Sequence, residues 1–565
     1  MPSKRSRRGC GCRHRNWAKM ARSSGRLGWR GLGANWARGQ KEPTMYRHAD
    51  QLPAGTLLRG FDLCIVGAGA AGIAMAQRLA NTSLQALLLV SGAPGDKRSP
   101  DAARQSLYAG TTGEFLHKVD PVFMQRSRLN MYGGTTNHFG FWARPLDAAD
   151  LQARPGYREV GWAISADELA PYYAAAHEFG RFGPVNYDDM AFWQRVLYAR
   201  CFDALPGDTL QGAIMRAQYE ENLHDFQLQF RDLLRDAPNI CVLFNAHLLY
   251  IDSDVAGSHV RGLQCATLVD GKAGAHFEVR ARKYVLACGG IENARLLQLS
   301  GGLGNNARDM LGRGFMLHPL LTNAARVTFE QPIASDIRNF FREQQIRLKA
   351  PSDPAGEYRH MATPLVNPEL VFDYLVFNAW GMLAPRPQTL ADEGIGNFRI
   401  ILYFNDAGDE AIVNLNWEQL PDEASRIILN PQVRDPIFGQ PVAHVDWRLN
   451  EADKHSAVRA LELSLDYLRA RGGSKAQMIT DVSGGAEAWT FPPAAGALET
   501  GDHHMGALRM SASPENGIVD VNSRLHSVDN LYIAGSAIFP AGGYANPTLT
   551  IVALSLRLAD HLRGL

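Results

Sequence analysis

Phe61-Asp-Leu-Cys-Ile-Val-Gly-Ala-Gly-Ala-Ala-Gly-Ile-Ala-Met-Ala-Gln-Arg-Leu-Ala80 is the stretch on which the fold turns. Residues 63–66 form an apolar run short enough to be a buried parallel strand. Gly67, Gly69 and Gly72 follow with the spacing G-x-G-x-x-G, and residues 70–80, small and free of proline, read as a helix. Gly67 permits the turn, Gly69 lets the backbone approach a pyrophosphate, and Gly72 lets helix and strand lie close together. Ala68 and Ala71 belong to the same cradle. The free N–H groups and the positive dipole end of the helix then face the phosphates. A bare triplet is weak in a chain with 54 glycines, where it can be a turn of some other α/β fold. The strand before it and the helix after it supply the dinucleotide reading.

Outward from this stretch, 565 residues give room for two or more cores. A composition of 46% hydrophobic and 20% charged residues is ordinary for a soluble globular protein. No apolar run of about eighteen residues occurs, so no membrane span is predicted. Seven cysteines in so long a chain do not make a disulfide scaffold, and a reducing, cytoplasmic compartment is expected. The net charge of +1 hides an asymmetry. Twelve of the 58 Lys and Arg but one of the 57 acids fall in residues 1–44, leaving a mildly acidic body with no sign of a nucleic-acid partner. That segment lacks periodicity. Arg7-Arg8 has no apolar segment after it, transit-peptide character is only partial, and Cys10, Cys12 and His14 lack a second ligand pair, so no metal site is expected. Residues 1–57 read as a basic, disordered tail or as an upstream extension of a chain that starts at Met45. Met1 retained in the intact mass of the native protein would exclude the second.

The second parallel strand is read at residues 85–90. In a dinucleotide fold an acid near its end binds the adenosine ribose, but the position holds Val90. Residues 95–125 read as a loop covering a cofactor. Gly133 and Gly134 then permit close backbone approach, and Thr135, Thr136, Asn137 and His138 offer donors and acceptors; a polar turn capping a helix is the alternative. Ser165 with Glu168 makes a capping box for a helix through about Phe179. Strand texture fills residues 240–290, and residues 283–297 repeat strand, glycine turn and helix. Residues 375–377, 398–404, 426–429 and 443–447 read as strands and 451–470 as a helix of a second domain. Near the end, residues 531–534 read as a buried strand, Gly535 as its turn, Pro547 as the first turn of a final helix and Asn546 as its N-cap.

These pieces, in this order, resemble the glucose–methanol–choline family of flavin oxidoreductases over residues 58–565. The resemblance rests on G-A-G-A-A-G at 67–72, G-G-T-T-N-H at 133–138, G-G-I-E-N-A-R at 289–295, H-H-M-G at 503–506, N-L-Y-I-A-G at 530–535 and N-P-T-L-T at 546–550. It implies an α/β (α+β) fold with a discontinuous Rossmann-like FAD-binding domain and a sheet-plus-helix substrate domain. The FAD domain is expected over 58–324, with a cap or loop segment at about 95–235. The substrate domain then spans 325–480, and 481–565 returns to the FAD domain with the catalytic motifs. By resemblance, Gly535, Ser536, Asn546, Pro547 and Thr548 join the cofactor-binding set. A flavin accepts hydride from an alcohol carbon only as the hydroxyl proton leaves, so a base must stand beside the hydroxyl. The resemblance assigns that base to His503, with Asn546 as its partner. His504 is the neighbour that contacts cofactor or backbone, or takes the base role itself. It also makes His138 either a covalent flavin anchor or a noncovalent lining residue; a yellow supernatant after acid precipitation would exclude covalence. At Val90 it predicts weaker FAD retention or a compensating side chain from elsewhere.

The implied activity is FAD-dependent oxidation of a CH–OH group of an alcohol, polyol, sugar or glycoside. The electron acceptor is oxygen, a quinone or a carrier protein. The alternatives are a lyase or decarboxylase on the same fold, and a flavin-free scaffold.

Overall fold

In the computed structural model the described residues are 45–95, 102–113, 123–155, 157–159, 161–218, 224–269, 271–349, 359–360, 374–479 and 498–565. Residues 1–44 and much of the stretch 95–125 lie outside them. The strand read at 63–66 is the end of Thr56–Val66. It pairs in parallel with Ala86–Leu89 on one side and Lys272–Leu286 on the other. Ile240–Phe244 adds in parallel beyond Ala86–Leu89, and Leu531–Ile533 adds beside Lys272–Leu286. Segments from both halves of the chain thus become parallel neighbours, and a doubly covered sheet explains their continuous apolar runs. Cys64, Ile65, Leu88 and Leu89 are wholly buried.

Tyr46–His48 is a further parallel strand, paired with Ile240–Phe244. The sheet therefore begins inside the segment read as tail. The Tyr46 ring packs edge-on against Tyr132 and Phe244, and its hydroxyl lies 3.1 Å from that of Tyr132. A three-residue edge strand is too short to show periodicity, so aromatic contacts that only the fold creates secure it.

The helix Ala70–Leu79 buries Ala71, Gly72, Ile73, Ala74, Met75, Ala76 and Leu79. Arg78 ties it to the final helix Thr548–Gly564 through a bidentate pair to Asp560, at 2.9 and 2.7 Å. The Ser165 hydroxyl caps the helix Ala166–Gly180 by accepting from the Glu168 N–H at 3.2 Å. The Glu168 carboxylate binds Arg557 instead of closing the predicted box.

The second sheet is antiparallel and draws on more of the chain than 325–480. Its core is Pro319–Phe329, Glu410–Trp417, Phe398–Phe404 and Tyr374–Pro385. Leu210–Gln218 pairs with Tyr374–Pro385 along eight residues, and Phe141–Ala143 pairs with Leu210–Gln218. Both come from the stretch assigned by sequence to the cap. Pairing across so long a separation leaves no local trace. Arg426–Arg434 and Pro441–Asp446 are strands as expected, but they form a hairpin of their own. It is held to the helix Gly289–Leu299 by Arg295 and Gln298, which donate to the Pro441 and Ile427 carbonyls at 2.8 Å.

Candidate active site

A cavity of about 560 Å³ runs from the glycine turn to the second sheet. At its first end the three glycines serve three purposes. Gly67 has a φ of +100°, and a Cβ there would stand 2.6 Å from the Ala287 carbonyl oxygen. A Cβ on Gly72 would stand 1.9 Å from the Gly67 oxygen. A Cβ on Gly69 would meet nothing within 4 Å, because it would point into the cavity. Gly69 is therefore the glycine whose missing side chain leaves open cavity.

The 133–138 motif docks on this turn. The Gly133 N–H donates to the Ala68 oxygen at 2.9 Å. Gly134 (φ +54°) sits so close that a Cβ would be 3.1 Å from the Gly69 Cα. Gly134, Thr135 and His138 line the cavity together with Ala68 and Ala71. Gly72, Gly133, Thr136 and Asn137 do not. Thr136 donates to the Gly133 oxygen at 2.8 Å, and the Asn137 amide donates to the Tyr132 and Gly134 oxygens at 2.9 and 2.7 Å. Their polar groups hold the loop shape. Val90 lines the same cavity, fully buried and apolar. The polar group beside it, missed in the sequence, is the hydroxyl of Ser91. It lies 2.9 Å from His247 Nδ1, and the His247 ring stacks on Phe438.

At the other end, His503 and Asn546 meet, with Nε2 and Nδ2 3.0 Å apart. Gly535, Ser536, Pro547 and Thr548 line the wall nearby. Two residues that no motif singled out complete the cluster. Arg399 Nη1 donates to Asn546 Oδ1 at 2.9 Å, and His318 Nδ1 lies 2.7 Å from His503 Nδ1. This network assigns the protons. Arg399 has only donors, so Asn546 must turn its oxygen to Arg399 and its NH2 to His503. His503 Nε2 is then the acceptor of the Asn546 amide N–H, at the cavity wall. The His503 proton sits on Nδ1 and is donated to His318 Nδ1. The His318 proton then sits on Nε2, which is buried without a hydrogen-bond partner among the described residues. Asn546 does not cap the final helix as expected, since its side chain is committed to this cluster; Pro547 is the cap residue and gives no side-chain bond.

His504 is built into a different neighbourhood. Its carbonyl accepts from Ser536 Oγ at 2.6 Å, its Nε2 lies 3.2 Å from Ser127 Oγ, and its ring stacks on Phe315. Burial holds all three imidazoles in the neutral form. Burial, then His318 and Arg399, pushes His503 well below the ordinary histidine range; burial pushes His504 down to about 3 and His318 to about 4. The folded state thus refuses protons that the unfolded chain binds near pH 6.5. The contribution of these groups to stability is complete above pH ~6.5 and declines as pH falls from there toward ~3. The melting temperature should fall over that window, and scans in matched buffers should show a smaller fall in His318→Gln.

Residues 238–320 and 421–555 match the N- and C-terminal family profiles described as GMC oxidoreductase. Both stretches match the GMC oxidoreductase family. It is 25% identical over 481 residues to the 2-methyl-1,2-propanediol dehydrogenase of Mycolicibacterium austroafricanum, covering 77% of this chain and 81% of that one. It is 25% identical over 579 residues to the 6'''-hydroxyparomomycin C oxidase of Streptomyces lividus, covering 91% and 94%. The pyridoxine 4-oxidase structure from Mesorbium loti shares the fold with a TM-score of 0.51 at 16% identity, covering 89% of this chain and 99% of that one. FAD is the cofactor of the GMC fold, and this cavity fits it. The open space at Gly69, the helix N-terminus behind it and the small residues along the wall leave room for such a group. No helix among the described residues is long and apolar enough to cross a membrane.

Proposed function

We propose that this protein is an FAD-dependent oxidoreductase that oxidises the CH–OH group of an alcohol, with His503 as the base. The observation that carries this reading is the proton assignment at His503, which makes Nε2 the acceptor and Asn546 Nδ2 the donor of a bond on the cavity wall. A substrate hydroxyl entering between them donates to Nε2 and accepts from Nδ2, replacing their direct bond. Bound FAD supplies the two-electron acceptor for the carbinol hydride. As the hydride leaves, the hydroxyl proton passes to Nε2, and the product is a carbonyl compound. The imidazolium so formed is steadied by the Nδ1–H bond to His318. His318 is a positioning residue that fixes the tautomer and ring plane.

Gly69, Ala68 and Ala71 hold the pyrophosphate in this reading. Thr135, His138, Gly535, Ser536, Pro547 and Thr548 line the flavin half. Ser91, oriented by His247, replaces the missing acid at the ribose. Ser91→Ala should therefore weaken FAD about 3- to 10-fold, the value of one hydrogen bond, with the apoprotein melting temperature unchanged. Fluorescence titration of apoprotein with FAD checks this.

The reading is tested on the purified protein by its visible spectrum and by anaerobic addition of diols, polyols, sugars and other alcohols. A flavin spectrum bleached by at least one alcohol is expected. Colourless protein that takes up no FAD, or flavin that no alcohol reduces, would sink the reading.

A further inference from the structure

We infer that the substrate carries an anionic group, a carboxylate near the reacting carbinol, and that Arg399 receives it; this rests on the reading above. Arg399 stands in the apolar strand Phe398–Phe404, is 5% exposed and lines the cavity beside the His503–Asn546 pair. Its one hydrogen bond among the described residues is to Asn546. Its Nε has no partner, and no carboxylate among the described residues pairs with it.

The other buried arginines show how unusual this is. Arg144 pairs with Asp147, Arg154 and Arg158 with Glu418, and Arg128 and Arg295 with Glu292. Arg216, also without a carboxylate, donates to the carbonyls of Phe182, Pro184 and Asn186 and lies over the Tyr187 and Trp193 rings. Arg399 has one amide oxygen and a ring face, Trp142, 5.6 Å away. A buried guanidinium without a counter-ion is costly, so its place on a ligand cavity marks where a ligand brings the charge. On the neighbouring strand its register partner Asn416 also lines the cavity. The Asn416 amide donates to the Pro319 oxygen at 2.9 Å, while its Oδ1 is buried without a partner. The guanidinium fork suits the two oxygens of a carboxylate. A 2-hydroxy acid, or another alcohol with its carboxylate a bond or two from the carbinol, matches this juxtaposition of cation and base.

The test uses the holoenzyme and two readouts. Calorimetric titration with acetate and oxalate should show saturable binding, while acetamide and oxamide should show none. Arg399→Lys should keep weakened binding, and Arg399→Gln should lose at least about tenfold in affinity. In anaerobic flavin reduction, hydroxy acids should show a lower KM than their amides, and Arg399→Gln should abolish that preference. If no carboxylate binds the wild type and neutral alcohols reduce the flavin as well as hydroxy acids, the inference is overturned and the oxidoreductase reading stands. If carboxylates bind through Arg399 but no alcohol reduces the flavin, the anion site stands and the oxidoreductase reading falls. A neutral alcohol slowed equally in kcat by Arg399→Gln, with no carboxylate binding, would make Arg399 a stabiliser of the alkoxide alone, which also overturns the inference.

Discussion

Replacing His503 by glutamine should lower the rate constant for flavin reduction by about 10²- to 10⁴-fold, the usual value of a positioned general base. Glutamine keeps the size of the side chain and a hydrogen-bonding end for Asn546, so the cavity should still take up FAD. The loss should fall on reduction and leave the flavin spectrum intact. His504→Gln provides the contrast. That imidazole reaches Ser127 and is separated from the Asn546–Arg399 network, so the change removes one hydrogen bond and should cost no more than about tenfold. Stopped-flow reduction of the two variants at saturating alcohol separates the roles. Equal losses, or a greater loss at His504, would reverse the assignment. The same network makes a statement about pH. His503 stays neutral well below the ordinary histidine range, so the acid limb of kcat/KM should lie below pH ~6.5.

The glycines at 69 and 72 should give opposite results when each becomes alanine. Gly69 has a φ of −87°, which alanine adopts without strain, and its Cβ would enter open cavity. Gly69→Ala should fold with an unchanged apoprotein melting temperature. FAD affinity should fall by about 5- to 100-fold, because the methyl occupies the space of the pyrophosphate, an overpacking of about 1–3 kcal/mol. At Gly72 the methyl would meet the Gly67 carbonyl oxygen at 1.9 Å, a backbone atom that cannot swing aside. Gly72→Ala should lose stability, near the upper end of about 1–3 kcal/mol or beyond, whether or not FAD is present. Thermal melts of apo- and holoprotein for each variant check both. A Gly69→Ala protein that binds FAD normally would place the pyrophosphate elsewhere.

The contrast between these glycines shows what could be read in advance. Strand, turn and helix at 61–80 are local, and the residue types alone carry the geometry. The parallel partners at 240–244 and 531–533 were legible as strands, though not their order. Of the second sheet only 375–377 and 398–404 were legible; Pro319–Phe329 and Glu410–Trp417 were not read as strands, and Phe141–Ala143 and Leu210–Gln218 join from the distant cap segment. In the site, H-H-M-G and N-P-T-L-T pointed to His503 and Asn546, which the fold brings within 3.0 Å. His318 and Arg399 were missed because each gains its meaning from a partner far away in sequence. Arg399 did leave a trace, a lone arginine within Phe-Arg-Ile-Ile-Leu-Tyr-Phe. A charge in an otherwise apolar strand is costly unless something meets it. The helix cap expected of Asn546 failed for the same reason: its side chain is held by His503 and Arg399.

In the proposed reaction hydride leaves the carbinol carbon as His503 takes the hydroxyl proton. Anaerobic reduction of the enzyme flavin by an alcohol carrying deuterium at that carbon tests it directly. Bleaching slowed several-fold relative to the protiated alcohol, and nearly abolished in His503→Gln, is the predicted result. Bleaching at the same rate with either isotope and undiminished in His503→Gln would contradict it.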